Sequence, residues 1–250
     1  MIGTPIGKNV IELEETDSTN SYAARLLHDQ YPIEGTAILA HYQTSGRGQR
    51  ASGWESSARK NLLVSYILYP EFIPINNHFA FNQAVALAVW GCIKEHCGEQ
   101  VSIKWPNDIL VNDEKIAGIL IENALRGSKI INSILGIGIN VNQTQFSDYE
   151  PVATSLKILN HHDTDILQLF DQLSGQLAKW YSLLKLGHYR QIREAYQKCL
   201  YRRDIPGMYI AGNTPFTGII KGVTDDGKLE ITTPEGISHF FMNKEVKYVF

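Results

Sequence analysis

The chain has 250 residues, a formal net charge of −3 and 44% hydrophobic side chains. That is enough apolar material for one large domain or two modest ones, and the overall charge points to no nucleic-acid or anionic-membrane surface. Three cysteines, Cys92, Cys97 and Cys199, form no CxxC pair and leave an odd one over, which predicts reduced thiols in a cytoplasm.

The N-terminal run MIGTPIGKNV lacks the apolar stretch of a signal peptide. Val10–Leu13 predicts a short strand. Asp17 and Ser18 can cap a helix from about Thr19 to Asp29, with Tyr22, Ala23, Leu26 and Leu27 on one face. Thr36–Tyr42 and Leu62–Tyr69 predict two strands. The segment between them, Gln43–Asn61, holds three glycines, four serines and four basic residues against one acid, Glu55. A connection of this length inside a compact domain is usually a lid or binding loop. Its glycines let the backbone approach a ligand, and its arginines match carboxylate and phosphate oxygens. An anionic ligand is therefore expected there.

Phe79 to about His96 predicts a buried helix, with small Ala84, Ala86 and Ala88 permitting close packing. The apolar run within it, Ala84–Trp90 with Cys92 and Ile93 beyond, is too short to span a bilayer. A soluble, cytoplasmic protein is expected. Val101–Trp105, Ile109–Val111, Lys115–Glu122 and Lys129–Val141 predict further strands, the second and third joined by a turn at Asn112-Asp113-Glu114. Strands follow one another rather than alternating with helices. The expected fold class is α+β, a mixed and largely antiparallel sheet with helices packed on it. After Pro151 the spacing turns helical over Asp163–Leu186 and roughly Tyr189–Leu200. From Pro206 onward, short strands alternate with turns at Gly212-Asn213, Asp225-Asp226-Gly227 and Pro234-Glu235-Gly236, as in a small β-barrel that docks on the main domain. The division expected is 1–203 and 204–250.

Cations recur at the mouths of the β-segments: Arg47 and Arg50, then Lys104, then Lys115. Joining a carboxylate to a nucleoside triphosphate needs such a set, because two anions must be screened, aligned and met by fixed donors. Taken alone, Lys115 reads better as an edge-strand lysine, and Lys104 is no clearer. The eight histidines show no metal-ligand spacing. Gly46-x-Gly48-x-x-Ala51 opens no βαβ unit. Glu14-Glu15 and Asp225-Asp226 read as solvated strand-end and turn residues.

In combination, TDSTN at Thr16–Asn20, GRGQR at Gly46–Arg50, KWPND at Lys104–Asp108, KIAGIL at Lys115–Leu120 and GIGIN at Gly136–Asn140 resemble, in order and rough spacing, the biotin–protein ligases. The resemblance covers nearly the whole chain. It implies a catalytic core related to class II aminoacyl-tRNA synthetases and an SH3-like C-terminal module. It further implies activation of biotin by ATP, with Mg2+, to biotinyl-AMP, and transfer to a lysine of a biotin carboxyl carrier protein or domain. By motif position, Ser18, Thr19, Asn20 and Gln43 resemble biotin contacts, and Gly46, Arg47 and Gly48 the loop that closes over the biotin tail and phosphate. Lys115 matches the lysine that meets both anions, Arg47 joins it in catalysis, and Gly118 lets the ligand pass. Gln49, Arg50, Trp54, Lys104, Asn107, Asp108 and Asn140 resemble nucleotide-side contacts. No side-chain ligand set for a metal is implied.

Two positions depart from many members: Gln49 stands where they carry arginine and Ala51 where they carry glycine. The first strand begins within ten residues of the start, so a monofunctional enzyme without a winged helix-turn-helix is expected, a monomer or weak homodimer that binds neither nucleic acid nor membrane. A lipoate ligase, which shares the core fold, and a biotin-responsive regulator are the alternatives. The GRGQR and KWPND strings disfavour the first, and the absence of a basic stripe the second.

Overall fold

The computed structural model describes residues 5–49 and 52–250. A seven-stranded sheet carries the larger part. Its strands are β1 (Val10–Leu13), β2 (Ala37–Ala40), β3 (Leu62–Leu68), β4 (Val101–Lys104), β5 (Asp108–Val111), β6 (Glu114–Arg126) and β7 (Lys129–Ile139), in the order β1-β2-β3-β7-β6-β5-β4. Only β1 and β2 run parallel; the other neighbours are antiparallel. The expected mixed, largely antiparallel sheet is observed.

Alternation along β3 separates the two faces of the sheet. Val64, Tyr66 and Leu68 enter the main core with α2 (His78–Cys97) and α4 (Ile166–Lys185), while Ile67 packs on Ala23 of α1 (Thr19–Asp29). Helix α2 is buried nearly all round, as its even spread of apolar residues dictates, and packs against α4 and α5 (Tyr189–Lys198). Opposite, α1 lies across β2, β3 and β7.

Several boundaries differ from expectation. Strand β6 continues to Arg126, because it pairs with β7 down to a turn whose Gly127 takes a positive φ of 60°. A short helix unforeseen in the sequence, α3 (Leu156–Asn160), starts where Ser155 Oγ accepts from the Ile158 N–H. Ser18 stands at the start of α1 but its hydroxyl caps nothing. Asp17 accepts from the Ser18 N–H at 2.8 Å and pairs with Arg25, which leaves the Ser18 side chain free to face elsewhere.

The C-terminal strands β8 (Pro206–Ala211), β9 (Thr214–Val223), β10 (Leu229–Thr232), β11 (Ser238–Phe241) and β12 (Val246–Tyr248) form one antiparallel sheet in the order β11-β10-β9-β8-β12. Strands β11 and β12 stand at its two edges, so among the described residues it is an open sheet rather than the closed barrel expected. Tyr209, Ile220, Leu229 and Ile231 share one continuous core with the helices, and the Trp105 indole N–H donates to the Gly227 carbonyl at 3.0 Å. The smaller sheet is docked as expected.

Candidate active site

Cross-strand register builds one face of the central strands into a site. Leu63, Gly138, Gly118, Asp108 and Lys104 are successive partners across β3, β7, β6, β5 and β4. A second row two residues along joins Ser65, Gly136 and Leu120, and a third joins Ile67, Ile134 and Glu122. Each row shares the face on which α1 lies. Three of its positions are glycine, so the sheet is left open under a cavity of about 480 Å³.

Lys115 reaches this face through an irregularity. The β5–β6 register slips between Ile109 and Leu110, so that Leu110 pairs with Lys115 while Ile109 pairs with Ala117. One extra residue on β6 reverses the alternation and turns Lys115 toward the same side as Gly118. Its backbone is held from the other side, where its N–H donates to the Val152 carbonyl at 2.7 Å and its carbonyl accepts from the Thr154 N–H at 2.9 Å. Lys115 Nζ then lies 2.7 Å from Asp108 Oδ1, and Lys104 Nζ lies 3.1 Å from Asp108 Oδ2. Burial alone would raise the Asp108 carboxyl, but the two ammonium groups outweigh it and hold it below the usual carboxylate range. One carboxylate thus keeps two cations side by side, with a net positive charge left over for an anion.

The indole of Trp54 covers the first row. A Cβ at Gly118 would stand 2.8 Å from the ring, and one at Gly138 would also collide with it. Lys115 Nζ sits 5.6 Å from the ring centre, and the indole N–H is buried without an acceptor. Trp54 is delivered by a hairpin-like closure of the glycine-rich segment, in which Arg47 pairs with Gly53 and the Gly46 carbonyl accepts from the Trp54 N–H at 2.9 Å. Gly46 must be glycine, because a Cβ there would strike the Trp54 carbonyl.

The second row leads into a buried polar network of a different kind. Gln43 Oε1 accepts from the Thr19 backbone N–H at 2.7 Å and from the Thr19 hydroxyl at 3.1 Å. A backbone N–H can only donate, so this oxygen is fixed and the Gln43 NH2 is turned away from Thr19, beside Gly46. Asn20 Nδ2 donates to Glu122 Oε2 at 2.7 Å, and Asn20 Oδ1 lies 2.6 Å from the Ser65 hydroxyl, itself 2.7 Å from Thr19 Oγ1. Thr19, Asn20 and Ser65 are all buried. The polar end therefore offers one amide donor and one amide acceptor whose directions the protein itself sets.

The cavity is lined by Ser18, Thr19, Asn20, Gln43, Arg47, Gly48, Gln49, Trp54, Lys104, Asn107, Asp108, Lys115 and Gly118, all singled out from the sequence. Gly46 and Asn140 are not in the wall. Asn140 is buried behind Lys115 and donates to the Thr154 carbonyl at 2.9 Å, supporting the strand that bears the lysine. Asn107 lines the cavity yet spends its amide on the Ile119 carbonyl at 2.9 Å. Arg50 lies outside the described residues. Sequence reasoning missed Ser65 and Glu122. It also missed the contribution of the smaller sheet, from which Asn243, Lys244, Lys247 and Tyr248 close one side of the cavity. Asn243 Nδ2 donates to Gln49 Oε1 at 2.6 Å, so Gln49 is tied across to that sheet. A lone serine in the apolar strand LLVSYIL, and period-two spacing from Gly118 through Leu120 to Glu122, were the available signals.

Comparison with known proteins agrees with this arrangement. The biotin/lipoate A/B protein ligase family matches residues 12–140. The chain is 32% identical over 234 residues to the biotin–[acetyl-CoA-carboxylase] ligase of Paracoccus denitrificans, covering 90% of this chain and 94% of that one. It is 31% identical over 239 residues to the bifunctional ligase/repressor BirA of Bacillus subtilis, covering 94% of this chain and 73% of the relative. The biotin protein ligase from Aquifex aeolicus, solved with biotin and ATP, superposes with a TM-score of 0.80 at 26% identity, over 97% of this chain and 100% of that one. The chain belongs to the biotin/lipoate A/B protein ligase family.

Proposed function

We propose that this protein is an ATP-dependent biotin–protein ligase that makes biotinyl-AMP and passes the biotinyl group to a lysine of a carboxylase carrier domain. The observation that carries the reading is the pairing of two unlike ends in one cavity. Lys115 and Lys104 are gathered on Asp108 at one end, and the Gln43–Thr19–Ser65–Asn20 network lies at the other. Two residues along a strand advance about 7 Å, a distance that a short extended acyl chain bridges. A cyclic urea presents both N–H donors and a carbonyl acceptor, which matches the Asn20 oxygen and the Gln43 NH2. The dithiolane of lipoate offers neither, and would leave those buried groups unpaired at about 1–3 kcal/mol each.

In this reading a biotin carboxylate oxygen attacks the α-phosphorus of ATP, the bond to the β-phosphate oxygen breaks, and pyrophosphate leaves. Lys115 meets both anions, lowering their mutual repulsion and the charge that builds in the transition state. Lys104 and Asp108 hold Lys115 in place and keep the region positive. Arg47 and Gly48 belong to the segment that covers the mixed anhydride against water. A lysine amine of the carrier then attacks the acyl carbon, an amide forms and AMP departs. Among the described residues no group of three or more His, Cys, Asp or Glu side chains is placed to hold a metal. Mg2+ would enter as a companion of ATP and would supply neutralisation of phosphate charge.

The five-stranded sheet corresponds in this reading to the family's SH3-like module, with the division near residue 204. None of the described helices is long and apolar enough to cross a membrane, in keeping with a cytoplasmic enzyme. The test is incubation of the purified protein with radiolabelled biotin, ATP, Mg2+ and a biotin carboxyl carrier domain. Label should become covalently attached to one carrier lysine only when ATP is present. Attachment of lipoate in preference to biotin, or of neither, overturns the reading.

A further inference from the structure

Glu122 belongs to none of the motifs, yet it joins two groups that the sequence places far apart. Its carboxylate accepts from Arg47 on the covering segment at 2.8 and 3.3 Å, and from Asn20 at the start of α1 at 2.7 Å. It reaches them because it follows Gly118 and Leu120 on the cavity-facing side of β6 and pairs with Ile134. We infer that Glu122 is the positioning residue of the biotin end: it dictates which way the Asn20 amide faces and anchors Arg47 to the same point. The inference rests on the ligase reading above.

The argument is one of donors and acceptors. A carboxylate and the Leu120 carbonyl, 3.5 Å away, both only accept, so the NH2 of Asn20 must face them. Asn20 Oδ1 is thereby turned toward Ser65 and retains one free lone pair. Asn20 can then serve biotin only as an acceptor for a ureido N–H, never as a donor to the ureido carbonyl, which leaves that task to Gln43. Were Glu122 removed, the amide could flip, and it would present a donor where the ligand also donates. The Arg47–Glu122 ion pair is too exposed, at 46% and 35%, to add much stability by itself. Its consequence is placement: the covering segment is tethered to the residue that orients the ureido contact, so closure and recognition share one group.

The experiment is biotin-dependent exchange of labelled pyrophosphate into ATP by Glu122→Ala, Glu122→Gln, Asn20→Ala and the double variant Glu122→Ala/Asn20→Ala. Losing a charge-assisted hydrogen bond and its orientation predicts a rise in the KM for biotin of roughly tenfold or more in Glu122→Ala. Glu122→Gln, which can still accept from Asn20, should recover a large part of it. In the Asn20→Ala background the Glu122→Ala effect should shrink at least threefold, because the group it orients is gone. Without ligands, cleavage after Arg47 by a protease should be faster in both Glu122 variants, whose thermal midpoints should stay close to wild type. An unchanged KM, equal effects of Glu122→Ala in both backgrounds, or unchanged cleavage after Arg47 overturns the proposal. If Glu122→Ala does not fold, the isosteric Glu122→Gln is read by its cleavage after Arg47 alone, and cleavage at the wild-type rate is decisive against it. If wild type itself shows no biotin-dependent exchange, the ligase reading fails and takes this inference with it.

Discussion

The two ends of the cavity solve the problem of burying polar groups in opposite ways. At the Lys104–Asp108–Lys115 end, charges are placed on charges, and a buried carboxylate is kept ionised only by its two neighbours. At the Asn20–Ser65–Thr19–Gln43 end, the four side chains are neutral and hydrogen-bond to one another, with the Glu122 carboxylate fixing the Asn20 amide from outside. The ionic end carries two cations on one carboxylate, a net positive charge that suits an anion. The neutral end is ordered by hydrogen-bond direction, which in the proposed reading is what selects the ligand. The two kinds of group are kept at separate places along the cavity.

The largest effect is expected at the ionic end. Lys115→Ala should lower adenylate formation on the order of a hundredfold to a thousandfold with the fold intact, since a fixed donor at the developing charge is lost. Release of pyrophosphate in the presence of biotin measures this. Near-normal release from a folded variant would return Lys115 to the role of an edge lysine.

Asp108→Asn should break the same end through stability. Two ammonium groups lose their common partner, at roughly 2–3 kcal/mol. The pH dependence has a definite sign. The native carboxyl is depressed, so its contribution is complete above the unfolded value of about 4 and drains away as pH falls through the lower native value. Thermal midpoints of wild type and Asp108→Asn should therefore converge as pH is lowered from 6 to 3. Parallel curves would show that Asp108 is not held ionised by its neighbours.

A smaller change is expected at Gln49, on the side of the cavity closed by Asn243. An arginine there could give a phosphate oxygen a charge-assisted and bidentate contact where glutamine gives a neutral one. It would also forfeit the bond that Gln49 Oε1 accepts from Asn243. A net gain of about 1.4 kcal/mol would slow escape of labelled biotinyl-AMP about tenfold in the absence of carrier. Equal or faster escape from Gln49→Arg would mean that position 49 serves the smaller sheet rather than the phosphate.

The mildest test is at the neutral end. Ser65→Ala removes one donor from the network at about 1 kcal/mol, so the KM for biotin should rise roughly fivefold while that for ATP stays put. A matching rise for ATP would show that the two ends are not separate.

Much of this site was legible before any fold was known. The glycine-rich segment declared an anion-binding loop by composition, and the lysines and the polar group at Thr16–Asn20 joined it through the resemblance of their motifs to the biotin–protein ligases. What stayed hidden depended on register. Lys115, beside apolar Ile116, Ala117 and Ile119, read alone as an edge lysine; strict alternation would point it away from Gly118, and only the slip between Ile109 and Leu110 brings it round. Asn140 looked like a wall residue because it ends GIGIN, yet the segment at Ala153–Thr154 lies over it and claims its amide. Ser65 passed as one polar residue in an apolar strand until Asn20 and Thr19 were found against it.

By itself, then, the sequence determined most of the elements, the mixed sheet and the chemical types gathered at the site, because these follow from hydrophobic period, turn residues and side-chain charge, all of which are local. Tertiary structure alone decided which strands are neighbours, which face each residue takes and which donor meets which acceptor. It brought Glu122 to Asn20 and Arg47, and Asn243 to Gln49, across 102, 75 and 194 positions of chain. Hydrogen bonds act over about 3 Å, so no pattern within a strand or helix can announce a partner that only the packing of the whole sheet delivers.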